Sequence, residues 1–202
     1  MINTIFGIPV LKIQMPYHEE IKDAFLPLLE DENNFAQSDH WDCMCGTTQN
    51  DPEKNKLFPW DNFYENVQPL LGQYLSMVGF KNEIFPTLFG YAWANRYVKN
   101  EHQEIHCHGG HGNIVSCAYM LELPDEENTG EIMFYNSSNS YFPSELMAPM
   151  HYNNFDGRRH NPQLKEGEII FFPSGLDHYV TYNKTDLRRA TISANFGVNT
   201  SS

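Results

Sequence analysis

The sequence is poor in positive charge. Its 202 residues carry 13 lysines and arginines against 26 aspartates and glutamates, a formal net charge of −13. Such a surface repels phosphate backbones and anionic lipid over most of its area, which argues against nucleic acid as a partner. Long hydrophobic runs are missing too: no stretch reaches the ~18 apolar residues of a membrane-spanning helix, so no membrane partner is expected. The first residues, MINTIFGIPVLKIQM, lack the basic flank and small-residue cleavage site of a secretory signal, and the expected location is cytoplasmic. Cysteine is scarce: Cys43, Cys45, Cys107 and Cys117 form no C-x-x-C pair. Free thiols are therefore expected rather than a disulfide framework, and the C-x-C at 43 and 45 lacks the second pair of a zinc site. No internal repeat or low-complexity segment divides the chain, so residues 1–202 are expected to form a single domain.

What is present changes texture near residue 85. Residues 1–84 read as a helical and loop part packed on a core. Ile21, Phe25, Leu28 and Leu29 recur at helical spacing, with Pro27 expected to kink or shorten that helix. A second helix is expected from Asp61, as N-cap, to Val78, before Gly79. Between them ENNFAQSDHWDCMCGTTQNDPEKN is polar and reads as a long loop. Residues 85–198 read as short strands separated by Gly, Pro, Asn and Asp, which suits a mainly β (α+β) sandwich or barrel with flanking N-terminal helices.

The segment EIHCHGGHG brings His106, His108 and His111 close together. Residues two apart on a strand share a face, so His106 and His108 can serve one metal, while His111 lies beyond a glycine pair and its direction is open. EGEIIFFPSGLDHYV supplies a third candidate: a buried strand ends at Pro173-Ser174-Gly175 and a short turn presents His178. An imidazole-rich set suits Fe, Zn, Cu or Ni. In RRATISANFGV, Arg189, Thr191, Ser193 and Asn195 share one face and Ala190, Ile192, Ala194 and Phe196 the other. An arginine with a hydroxyl two residues on is suited to a carboxylate.

With WANRYVKNEHQEIHCH, SCAYMLELP, GEIMFYN, EGEIIFFPSGLDHYV and RRATISANF, the chain resembles the 2-oxoglutarate/Fe(II)-dependent oxygenases, in particular small ones of marine bacteria and their phages, over about residues 85–197. The resemblance implies a double-stranded β-helix (jelly roll) with Fe(II) at its mouth, 2-oxoglutarate as cosubstrate and O2 as oxidant. It implies a hydroxylase that couples decarboxylation to succinate and CO2 with oxidation of a substrate, either a protein side chain or a metabolite. Carried over by position, His106 and His178 are metal ligands and Arg189 anchors the cosubstrate's distal carboxylate, assisted by Thr191, with Tyr119 or Asn95 as further contacts. One position departs from the superfamily, which places Asp or Glu where His108 stands. The favoured set is His106, His108 and His178. A carboxylate from Glu101, Glu104 or Asp177, or His111 in place of His108, are the alternatives. Substrate specificity is expected in the loops at 31–60 and 136–165.

Two other readings compete. GEIIFFPSGLDH also fits a cupin pattern, but the Glu that cupins place after the second histidine is missing from GGHGN. A non-catalytic jelly-roll module would need no Arg189.

Overall fold

Among the described residues from 88 onward every regular element is a strand, and the chain passes repeatedly between two antiparallel sheets. The computed structural model describes residues 7–37, 43–80, 88–110, 112–137 and 159–198. His111 lies outside them, as does 138–158, most of the second loop assigned to specificity. The core strands are β4 (Leu88–Tyr97), β5 (His102–His106), β6 (Asn113–Glu122), β7 (Ile132–Tyr135), β8 (Arg159–His160), β9 (Glu168–Pro173), β10 (His178–Val180) and β11 (Arg189–Val198). In the larger sheet the order β9-β6-β11-β4 puts the last strand between the first and third, and the smaller sheet runs β5-β10-β7-β8. That interleaving is the double-stranded β-helix.

The N-terminal part extends both sheets. β1 (Leu11–Gln14) pairs with β9, β2 (Cys43–Met44) with β5, and β3 (Gly46–Thr47) with β4. The stretch expected as one long loop thus donates an edge strand to each sheet, because short two-residue ladders need no hydrophobic alternation. It also holds a short helix α2 (Pro52–Asn55). All four cysteines are free thiols, with Cys43 and Cys45 Sγ 3.4 Å apart.

Two longer helices cover the outer face of the larger sheet. α1 (His18–Glu30) buries Ile21, Phe25 and Leu29. Pro27 does not shorten it: Pro27 and Asp23, whose carbonyl it leaves without an N–H partner, both stand on the exposed side. α3 (Trp60–Met77) starts one residue before the expected cap, so Asp61 sits in its first turn, where a carboxylate still meets the positive end of the helix dipole. Gly79, at φ 87°, ends it as expected. No helix among the described residues is long and apolar enough to cross a membrane.

Strand alternation divides the core in two. Cys117, Tyr119 and Leu121 of β6, with Ile169 and Phe171 of β9 and Ile192 and Ala194 of β11, pack against the helices. Ala118, Met120, Ile170 and Phe172 turn between the sheets, against Ile132 and Phe134 of β7. β6 and β9 are buried on both faces, so they read as continuous apolar runs. Gly167 makes the turn into β9 at φ 82°, and any Cβ there would collide with the Gln14 side chain and crowd the His18 ring.

Candidate metal centre

His106 ends β5 and His178 begins β10, and the two are cross-strand partners with ring centroids 4.3 Å apart. Pairing of the strands alone thus sets these two rings side by side. His108 lies beyond the end of β5, and its backbone N–H donates to Ser174 O at 2.8 Å. The Pro173-Ser174-Gly175 turn therefore fixes His108 and delivers His178 together. The His108 ring stands 5.1 Å from that of His106 and 5.0 Å from that of His178. One ligand nitrogen from each of the three lies within 4.8 Å of the others.

The register explains why these rings face inward. His178 pairs with His106, but Val180 pairs with Gln103, so β5 carries an extra residue at Glu104–Ile105. This bulge puts both Gln103 and His106 on the inner face, which strict alternation forbids. It leaves Glu104 exposed outside, and Glu101 Oε2 accepts from Val98 N at 2.8 Å in the β4–β5 turn. Among the described residues the metal-competent cluster consists of the three histidines and no carboxylate joins it, Asp177 included.

Local hydrogen bonds orient the rings. His106 Nδ1 meets Glu104 O at 2.7 Å and His178 Nδ1 meets Leu176 O at 2.9 Å. A carbonyl only accepts, so Nδ1 carries the proton and Nε2 is the nitrogen with the lone pair that a metal needs. Burial lowers all three pKa values. His106 falls below the usual histidine value, His108 is pushed down to about 4 by burial and then by His106, and His178, the most buried, lies well below. Neutral imidazole is the form that ligates. The donor set fits Fe(II), though by donor type it fits other first-row ions as well.

Across the same cavity stands Arg189, only 1% exposed. Among the described residues its Nε and Nη1 meet no hydrogen-bond acceptor, Nη2 faces the Met120 thioether at 3.6 Å, and its Cζ lies 4.6 Å over the Tyr97 ring. A buried guanidinium with unmet donors carries a large desolvation cost, and a carboxylate relieves it with two parallel bonds. Thr191 and Ser193 line the cavity beside it, as the alternation of β11 indicated.

The two further contacts expected of the cosubstrate lie on different faces. Tyr119 faces the helices: its hydroxyl bonds His18 Nδ1 at 2.6 Å and its ring stacks on Phe63, so it cannot reach the cavity. Its neighbours Ala118 and Met120 take the inner face instead. Asn95 is on the inner face of β4, but its amide is committed to Thr47 Oγ1 at 2.9 Å and Ser193 Oγ at 3.1 Å. Phe172 and Trp93 line the cavity, whereas Phe171 stacks on Tyr74 under the helices. Gln49, Gln103 and Met120 also line it and were not foreseen. The bulge hid Gln103, and the doubly buried strand hid Met120.

A family model described as "Putative 2OG-Fe(II) oxygenase" matches residues 91–195, just over half of the chain. No curated protein matches in sequence. In structure the chain is similar to a Pseudomonas putida prolyl-4-hydroxylase (12% identity, 95% of this chain and 94% of that one, TM-score 0.65). It is also similar to the α-ketoglutarate-dependent epimerase SnoN from nogalamycin biosynthesis (12%, 95% and 77%, 0.63) and to HygX from Streptomyces hygroscopicus with nickel and 2-oxoglutarate bound (12%, 96% and 84%, 0.61). These similarities establish the shared jelly-roll fold.

Proposed function

Because this chain belongs to the 2OG-Fe(II) oxygenase family, whose members use Fe(II), 2-oxoglutarate and O2, we propose that it is a hydroxylase in which His106, His108 and His178 hold the iron and Arg189 anchors the cosubstrate. The observation that carries this reading is one cavity bounded by a three-imidazole cluster and by a buried guanidinium with two unmet N–H donors.

Held by His106, His108 and His178, Fe(II) would supply, with 2-oxoglutarate and O2, the oxidising chemistry that yields succinate, CO2 and an oxidised substrate. The protein binds, orients and shields. The carbonyls of Glu104 and Leu176 hold two of the rings with Nε2 presented. The Arg189 fork and the Thr191 hydroxyl select a carboxylate, while the Asn95 amide, bonded to Thr47, Thr191 and Ser193, ties that wall together. Phe172 and Trp93 pack against His178 and His108, which keeps water from the rings and strengthens every electrostatic contact there. Three neutral imidazoles cancel none of the ion's charge, so His108 in place of a carboxylate leaves a site with a stronger pull on an anionic cosubstrate.

Hydroxylation of a protein side chain or a metabolite finds support in the similarity to a prolyl hydroxylase. The test is aerobic turnover with Fe(II) and 2-oxoglutarate against prolyl peptides and a set of small molecules, reading succinate and product mass. The expected result is stoichiometric succinate and a product heavier by one oxygen atom. Succinate with an epimerised or cyclised product would overturn the hydroxylase assignment, and no succinate with any substrate would count against the whole reading.

A further inference from the structure

Two cavities share a wall behind the metal centre. The one between the histidines and Arg189 encloses only about 20 Å³, room for roughly one water molecule. A second, of about 590 Å³, lies at the opposite end of the barrel, between the β6–β7 connection and the segment that leads into β9. Met120, Ile132 and Arg189 line both. A five-carbon diacid cannot enter the smaller space unless part of that wall moves.

The three wall residues differ in their freedom. Ile132 is β-branched and stiff at its first torsion. Arg189 lies over the Tyr97 ring. Met120 is unbranched, has three rotatable side-chain bonds and a deformable thioether, and has the larger cavity beside it. Its sulfur also occupies a telling position, 3.6 Å from Arg189 Nη2, where it serves a charged donor as a weak acceptor. A stronger acceptor arriving at the guanidinium would displace it.

We propose that Met120 is the gate of the cosubstrate pocket: it stands in for the carboxylate beside Arg189, swings towards the larger cavity when the 2-oxo acid binds, and by its length sets the longest 2-oxo diacid that the site accepts. This rests on the assignment of Arg189 as the cosubstrate anchor. Met120 is thus a specificity-determining residue that touches the cosubstrate and takes no part in the bond-making steps.

The test is anaerobic titration of the Fe(II)-loaded protein with 2-oxoglutarate and with 2-oxoadipate, one methylene longer, followed by the weak visible charge-transfer band of the chelate. Wild type, Met120→Ala, Met120→Val and Met120→Leu are compared. Removing the Sδ–Cε end is expected to shift the ratio of dissociation constants towards 2-oxoadipate by about tenfold or more in Met120→Ala, the scale of one methylene in a fitted pocket. Met120→Val should shift it less, and Met120→Leu should keep the wild-type preference. Met120→Val decides the matter should the alanine variant not fold. An unchanged ratio in the folded variants overturns the gate while leaving the anchor intact. A wild type that shows no band with 2-oxoglutarate overturns the anchor and the gate with it.

Discussion

A polar cluster lies on each side of the larger sheet, one against α1 and one between the two sheets, and the two differ in what they gather. On the helix side, His18 Nδ1 bonds Tyr119 Oη at 2.6 Å, His18 Nε2 lies 3.5 Å from Glu166 Oε1, and Glu166 takes further bonds from Lys22 Nζ and Leu123 N. Burial pushes the Glu166 carboxyl up, but those hydrogen bonds outweigh it and hold the carboxyl below its ordinary value. On the barrel side, His106 and His178 set Nδ1 on backbone carbonyls and converge with His108, and Arg189 Nε and Nη1 meet no acceptor among the described residues. The first cluster brings its own carboxylate up to its histidine and pins α1 to the sheet, with His18 Nε2 facing Glu166 but making no hydrogen bond. The second is arranged for something that the chain does not itself provide. Residue type alone does not separate a structural histidine from a ligand; convergence with other imidazoles does.

The sharpest way to break this contrast is His178→Ala. It should abolish the Fe(II)- and 2-oxoglutarate-dependent visible band, while Tyr119→Phe, one sheet face away, should leave the band unchanged. Arg189→Ala should retain Fe(II) but bind 2-oxoglutarate about 100-fold more weakly, since two charge-assisted hydrogen bonds are lost; isothermal titration at fixed metal measures it. Replacing His108 probes the departure from the superfamily pattern. His108→Asp should keep iron affinity within about tenfold, because either residue is an ordinary first-row ligand, whereas His108→Ala should lose more. The smallest effect is the stability cost on the helix side: Tyr119→Phe should lower unfolding free energy by about 1–2 kcal/mol in urea, as His18 Nδ1 loses its partner.

How much of this was legible in the sequence depended on whether a strand is wet on one face. β11 has a polar inner face and an apolar outer one, so the residues of its cavity wall could be read from alternation alone. β6 is buried on both faces and gives no alternation, so its sequence does not tell which of Tyr119 and Met120 faces the cavity. The pairing of His106 with His178 follows from the turn at Pro173-Ser174-Gly175, a local signal. Gln103 depends on a bulge, and the edge strands at 43–47 on pairing with distant partners, neither of which leaves a local pattern. The metal centre was therefore visible in outline, and its second wall was not.

The most direct measurement of the central claim, that three histidines and Arg189 form one site, is the anaerobic titration of wild-type protein with Fe(II) and then 2-oxoglutarate, followed in the visible. The account expects a band that needs both components, saturates at one of each per chain, and disappears in both His178→Ala and Arg189→Ala at the same cosubstrate concentration. A wild type without the band, or a band of equal strength in Arg189→Ala, would contradict it.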